Sequence, residues 1–137
     1  MKLLIPIDGS KASLNAFEKA VEIAKNYHFS MKILSVVNVR AVSDDRAELV
    51  DIMIKDVNVT MEELVKNTDL TGLEVETEVI YGEAYTTILE VAERDNVDLI
   101  VIGNRGQSRI QRFFLGSVAN RVIAEAKCPV LVIHTEA

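Results

Sequence analysis

Asp98-Leu99-Ile100-Val101-Ile102-Gly103-Asn104-Arg105-Gly106 is the stretch on which the fold turns. Four consecutive large apolar residues leave no polar alternate face, so the strand they form must be covered on both sides. That is the mark of a sheet sandwiched between helices rather than one with a wet side. At Gly103 the apolar run stops abruptly and a polar, glycine-spaced loop begins.

Upstream of this strand, β-branched runs alternate with helical periodicity. Lys2 to Ile7 reads as a strand, and Leu14, Phe17, Ala20, Val21 and Ala24 then recur at helical spacing up to about Tyr27, with Ser10 placed to cap the first turn. Met31 to Val39 reads as a second buried strand. Val50, Ile54, Val57, Met61, Leu64 and Val65 mark one face of a long helix, closed by Asp69 to Gly72. Leu73 to Tyr81 alternates apolar residues with Glu74, Glu76 and Glu78, which predicts a strand with one wet face at a sheet edge. A shorter helix from Ala84 to about Arg94 turns Ile88, Leu89 and Ala92 inward. Downstream, Ser117 to Ala126 is helical by pattern, and Pro129 to Ile133 is the last strand.

The order βαβαβαβαβ, with right-handed crossovers, predicts an α/β fold: a five-stranded, mostly parallel sheet with helices on both faces. The 137 residues suit one domain over 1–137, with no linker or internal repeat. In such open sheets ligands sit beyond the carboxyl ends of the strands, at the switch point in strand order. Asp8, the end of the second strand and Gly103 are therefore the places to look.

Composition excludes several classes. The 15 basic and 21 acidic residues leave a net charge of −6, which argues against nucleic acid as a partner. The apolar start Met1 to Ile5 is cut short by Pro6 and Asp8, so neither a signal peptide nor a membrane span is expected, and the mature protein should begin here. A lone Cys128 gives no disulfide framework and no zinc spacing, which points to a reducing, cytoplasmic compartment. Between Gly103 and Lys127, however, Arg105, Arg109, Arg112, Arg121 and Lys127 face Glu125 alone. This basic window is either a small anion site or a solvated face of mixed charge.

Within it, Gly103, Gly106, Gly116 and Ser117 form a Gly-x2-Gly-x9-Gly-Ser pattern. Phosphate capture needs backbone N–H groups that a ligand can approach closely, and glycine removes the obstructing side chain. On this reading Gly103 turns the chain off the strand, Gly106 opens the returning loop, and Gly116 brings it back where a helix starts. The helix N-terminus over Ser117, Val118 and Ala119 favours an anion, and Ser117 can cap the helix or donate to a phosphate oxygen. Any strand-to-helix connection attracts glycine, but three spaced glycines around a basic loop are more than punctuation. Asp8 reads either as a carboxylate for a ribose or cation, or as a turn and capping Asp beside Gly9. Val36 reads as a core valine or, in a nucleotide site, as backbone reading an adenine edge. His28, His134 and Cys128 lack partners at motif spacing and read as structural, with Cys128 buried. Phe113-Phe114-Leu115 reads as a packing anchor for the loop.

Together these residues resemble the universal stress protein family, in its ATP-binding branch. The resemblance spans nearly the whole chain: Pro6 to Ser10, Leu34 to Val37, Gly82, Asp98 to Gly103, Cys128 to Val132, and the glycine motif itself. It implies a Rossmann-like fold of the adenine nucleotide alpha hydrolase kind, with strand order 3-2-1-4-5. It implies ATP as ligand, adenine near Val36, ribose near Asp8, and phosphates between Gly106 and the turn Gly116, Ser117, Val118 and Ala119, often with Mg²⁺ or Mn²⁺, with Pro6, Gly103 and Arg105 also among the nucleotide-binding residues. It also implies a homodimer through Val130 to Thr135. Ser35 departs from the family, where many members carry His.

The functional expectation is an ATP-binding, nucleotide-dependent regulatory protein of the stress response. Slow ATP hydrolysis at the same site is the alternative, although hydrolysis needs a general base and the loop offers none beyond Asp8. The chain has no Gly-x4-Gly-Lys-[Ser/Thr] loop, no Gly-x-Gly-x2-Gly after the first strand, and no Ser-Gly-Gly-x-Asp-Ser loop. A phosphorelay receiver would need an acidic pair after the first strand, an Asp after the third and a Lys after the fifth. Here Asp8 stands alone, the third strand ends in Tyr81-Gly82, and the fifth runs into His134-Thr135.

Overall fold

In the computed structural model, which describes residues 1–38, 47–105 and 115–135, the apolar runs become strands and the helical repeats become helices in strict alternation. The elements are β1 (Lys2–Pro6), α1 (Lys11–Tyr27), β2 (Ser30–Asn38), α2 (Ala47–Lys66), β3 (Val75–Gly82), α3 (Ala84–Arg94), β4 (Leu99–Gly103), α4 (Ser117–Glu125) and β5 (Val130–Ile133). The strands form a five-stranded sheet in the order β3-β2-β1-β4-β5, and every pairing is parallel. The expectation of a mostly parallel sheet is thus met in its strictest form.

Alternation along each strand divides the core in two. Leu3, Ile5, Met31, Ile33 and Val101 point to one face, where α1 buries Ala16, Phe17, Ala20 and Ala24 and α2 contributes Met61. Leu4, Leu34, Ile100 and Ile102 point to the other, against Ile88, Val91 and Ala92 of α3 and Ala119 and Val122 of α4. Crossovers through α1 and α2 carry the chain one way across the sheet, and those through α3 and α4 carry it back. The switch point lies between the carboxyl ends of β1 and β4.

Several details differ from the sequence reading. β1 ends at Pro6, one residue before Ile7, yet Ile7 N–H still donates to Leu34 O at 2.8 Å. Leu14, expected inward, is 36% exposed because Ala12, Ser13, Ala16 and Phe17 take the buried stripe of α1. In α2 only Met61 is fully buried, since this helix covers the outer strands, where the sheet offers less surface. β3 is the edge strand that its alternating glutamates predicted, but its charged face is not simply wet. Lys32 of β2, with its side chain 7% exposed, reaches Glu78 at 2.8 Å, Asp95 at 3.2 Å and Glu76 at 3.6 Å. Arg94 closes the group, bonding Glu78 at 2.6 Å and Asp95 at 2.8 Å.

Candidate functional site

The turn after β1 is built by its own side chains. Gly9 has φ of 83°, a left-handed conformation that glycine adopts without strain, and the Ser10 N–H donates to Asp8 Oδ1 at 2.9 Å. Ser10 is the N-cap of α1, its hydroxyl accepting from Ser13 N–H at 3.2 Å. The hydroxyl of Ser13, a residue 5% exposed, accepts from Asp8 N–H at 3.3 Å and donates to Ser10 O at 2.9 Å. Asp8 therefore performs the turn role that one reading assigned it, and it is also exposed at the carboxyl end of the sheet.

Gly103 lets the first turn of α1 approach β4 closely. A Cβ there would stand 2.8 Å from both the carbonyl carbon and oxygen of Ala12, so glycine is required by the close approach of α1. Gly103 is the last residue of β4, where the sequence expected the chain to leave the strand, and the close approach of α1 is a further reason for glycine there. The effect on the site is direct. The start of α1 and the end of β4 are held together at the switch point.

β2 supplies the third wall. Ser35, buried where the resemblance led one to expect His, donates its hydroxyl to Ile7 O at 2.9 Å and so ties β2 to the end of β1. The last rung between these strands joins Pro6 to Leu34, and Leu34 O accepts from Ile7. Met31 N–H instead bonds Glu74 on the β3 side. Because backbone groups alternate direction along a strand, Val36 shares Leu34's orientation and turns its N–H and C=O to the β1 side, two residues past the last rung. Its side chain packs on the α3–α4 core, so both of its sequence readings are compatible with the fold.

Across the crevice, Gly116 is the buried N-cap of α4 with φ −58° and ψ 152°, and as a glycine it brings no side chain to cap the helix. Ser117 is therefore the first helical residue and not the cap, a correction to one of its two expected roles. The leading N–H groups of a helix have no intrahelical acceptor, and the helix dipole adds to their pull on an anion. Ser117 is exposed, Val118 half-buried and Ala119 buried. Gly116 N–H is spent on Asn104 O at 2.7 Å. Pro6 and Arg105 are half-buried at the ends of β1 and β4. Gly106, Arg109, Arg112, Phe113 and Phe114 lie outside the described residues, while Leu115 packs on the α3–α4 core.

Sequence reasoning missed Asn104, Thr135 and Asn15. Asn104 is 3% exposed and Thr135 5% exposed. Asn104 Oδ1 accepts from Thr135 N–H at 3.0 Å, its Nδ2 lies 3.4 Å from Thr135 O and 3.2 Å from His134 Nδ1, and Asn15 Nδ2 donates to the Thr135 hydroxyl at 2.9 Å. No spacing rule could have found partners this far apart. The basic window also shrinks. Arg121 bonds Glu125 at 3.2 Å and Tyr85 at 2.8 Å, with its guanidinium 4.2 Å from the Tyr85 ring centre, and Lys127 pairs with Glu93 at 3.0 Å. Cys128 is half-buried rather than buried, and burial pushes its thiol above the usual range, away from the reactive thiolate. It lines a cavity of about 200 Å³ with Ala92, Asn96, Val97 and Ala126, at the opposite end of the sheet from the switch point.

Residues 1–134 match the model of the universal stress protein family. The chain belongs to that family. A universal stress protein of Methanocaldococcus jannaschii is 36% identical over 137 residues, covering 96% of this chain and 81% of the relative. Among solved structures, the universal stress protein UspA of Lactobacillus plantarum is 31% identical with a TM-score of 0.81, covering 97% of each chain. The hypothetical protein MJ0577 is 25% identical with a TM-score of 0.88, covering 99% of this chain and 96% of its own. Two more distant universal stress proteins share the fold, at 23% identity with a TM-score of 0.76 and at 22% with 0.61; the first is a complex with cAMP and the second, from Archaeoglobus fulgidus, a complex with dAMP. Nucleotide binding thus occurs within the family. Among the described residues no helix is long and apolar enough to cross a membrane.

Proposed function

We propose that this universal stress protein is a nucleotide-dependent regulatory protein that binds ATP in the crevice at the carboxyl ends of β1, β2 and β4. The observation that carries the reading is the start of α4: a helix N-terminus whose N-cap is a glycine, tied through the Gly116 N–H to Asn104 just past β4 at the switch point. In this reading the adenine edge meets the Val36 backbone and the ribose meets Pro6 and Asp8. The phosphates lie between Gly103, Arg105 and Gly106 on one side and Gly116, Ser117, Val118 and Ala119 on the other. The donor set suits a polyphosphate, since it offers helix N–H groups, a hydroxyl and a guanidinium. Mg²⁺ or Mn²⁺ accompanies the phosphates. The chain acts as one domain over 1–137 in the cytoplasm, and pairs with a second copy through Val130 to Thr135.

Titration calorimetry with ATP and Mg²⁺ tests it. Saturable binding is expected, lost in Gly116→Val and Gly106→Val while their circular dichroism stays that of the wild type. A well-folded wild type that gives no binding overturns the reading. Incubation with ATP addresses hydrolysis separately: ADP or AMP no greater than that made by the Gly116→Val protein leaves a binding switch.

A further inference from the structure

We propose that Asn104 is the positioning residue of this crevice, coupling the nucleotide cradle to the chain that follows β5. Gly116 N–H, at the start of α4, donates to Asn104 O at 2.7 Å. One residue thus ties the end of β4 to the start of α4. Its own backbone is held by β5, because Asn104 N–H donates to Ile133 O at 3.0 Å.

The side chain extends this hold beyond the strand. Its carboxamide faces both backbone groups of Thr135, accepting from N–H at 3.0 Å and presenting Nδ2 to O at 3.4 Å, as a peptide of a neighbouring strand would. The strand pairing therefore continues through a side chain after the β4–β5 ladder has ended at Gly103 and Ile133. Thr135 is in turn fixed by Asn15 of α1, and Asn104 and Thr135 are 3% and 5% exposed. Buried amides of this kind hold one geometry because an unmet donor or acceptor there is costly. Aligning Gly116 for a ligand and seating Thr135 on Asn104 are consequently two ends of one rigid connection. By reciprocity, whatever stabilises one end stabilises the other.

The inference rests on the nucleotide reading, and amide hydrogen exchange of the wild-type protein separates the two. With saturating ATP and Mg²⁺, exchange of the Ser117 to Ala119 amides is expected to slow, and that of the Thr135 amide with them, by about tenfold or more. Protection at Ser117 to Ala119 with an unchanged Thr135 keeps the nucleotide and overturns the coupling. No protection at either place removes the nucleotide reading and the proposal with it. Asn104→Ala adds a second readout: ATP affinity about tenfold weaker, with the Thr135 amide no longer responding to ATP. Wild-type affinity in that variant refutes the positioning role.

Discussion

At Gly103 the position of one missing carbon decides how α1 meets the sheet. A Cβ would lie 2.8 Å from backbone atoms of Ala12, which cannot move aside as a flexible side chain could. Gly103→Ala is expected to cost about 1–3 kcal/mol, by comparison with other overpacked cores, measured by urea denaturation. Stability equal to wild type would mean that α1 can shift without penalty. The same substitution should weaken ATP binding, because the Asp8 turn and the end of β4 would separate. Gly103 was identified from the sequence as a special glycine, and the approach of Ala12 is a cause that the sequence did not show. A glycine motif records that a side chain is forbidden and not which neighbour forbids it.

Among the elements, β3 shows how an edge strand can carry charge inward. Burial alone would lower the pKa of Lys32, but its hydrogen bonds to Glu78 and Asp95 outweigh this and raise it. Arg94 first and Lys32 second hold Glu78 below its ordinary value, and for Asp95 the Arg94 hydrogen bond likewise leads. Both carboxyls have folded pKa values below their unfolded ones. Their stabilising contribution is therefore complete above the ordinary values of 4.5 for Glu78 and 3.8 for Asp95, and is lost as pH falls through the depressed folded values. Thermal melts should show stability declining below about pH 4.5, with a shallower decline in Lys32→Met. At neutral pH that variant should lose about 1–3 kcal/mol, since Arg94 remains to pair both carboxylates. An identical acid slope in variant and wild type would show that Lys32 does not set these values. The alternating glutamates announced the edge. Lys32 went unnoticed because a lysine in a strand gives no local sign of being buried.

For the molecule as a whole, the strand order leaves β3 and β5 at the two edges, and they are protected unequally. β3 is screened by its glutamates, whereas β5 is a short apolar strand with Leu131 37% exposed. Light scattering is expected to give twice the chain mass, and Leu131→Arg to give the monomer; a monomeric wild type would exclude pairing through β5. The alternation of strands and helices, the doubly covered β4, the cap at Ser10 and the glycine motif were all legible in the sequence. These are written within a few residues, in periodicity, capping and turn chemistry, and so can be read locally. The folded chain alone reveals why Gly103 must be glycine, that Lys32 is paired inside the protein, and that Asn104 joins the start of α4 to Thr135. Each of those depends on residues distant along the chain, brought to within a few ångströms by the parallel crossovers, and no local pattern encodes such a meeting.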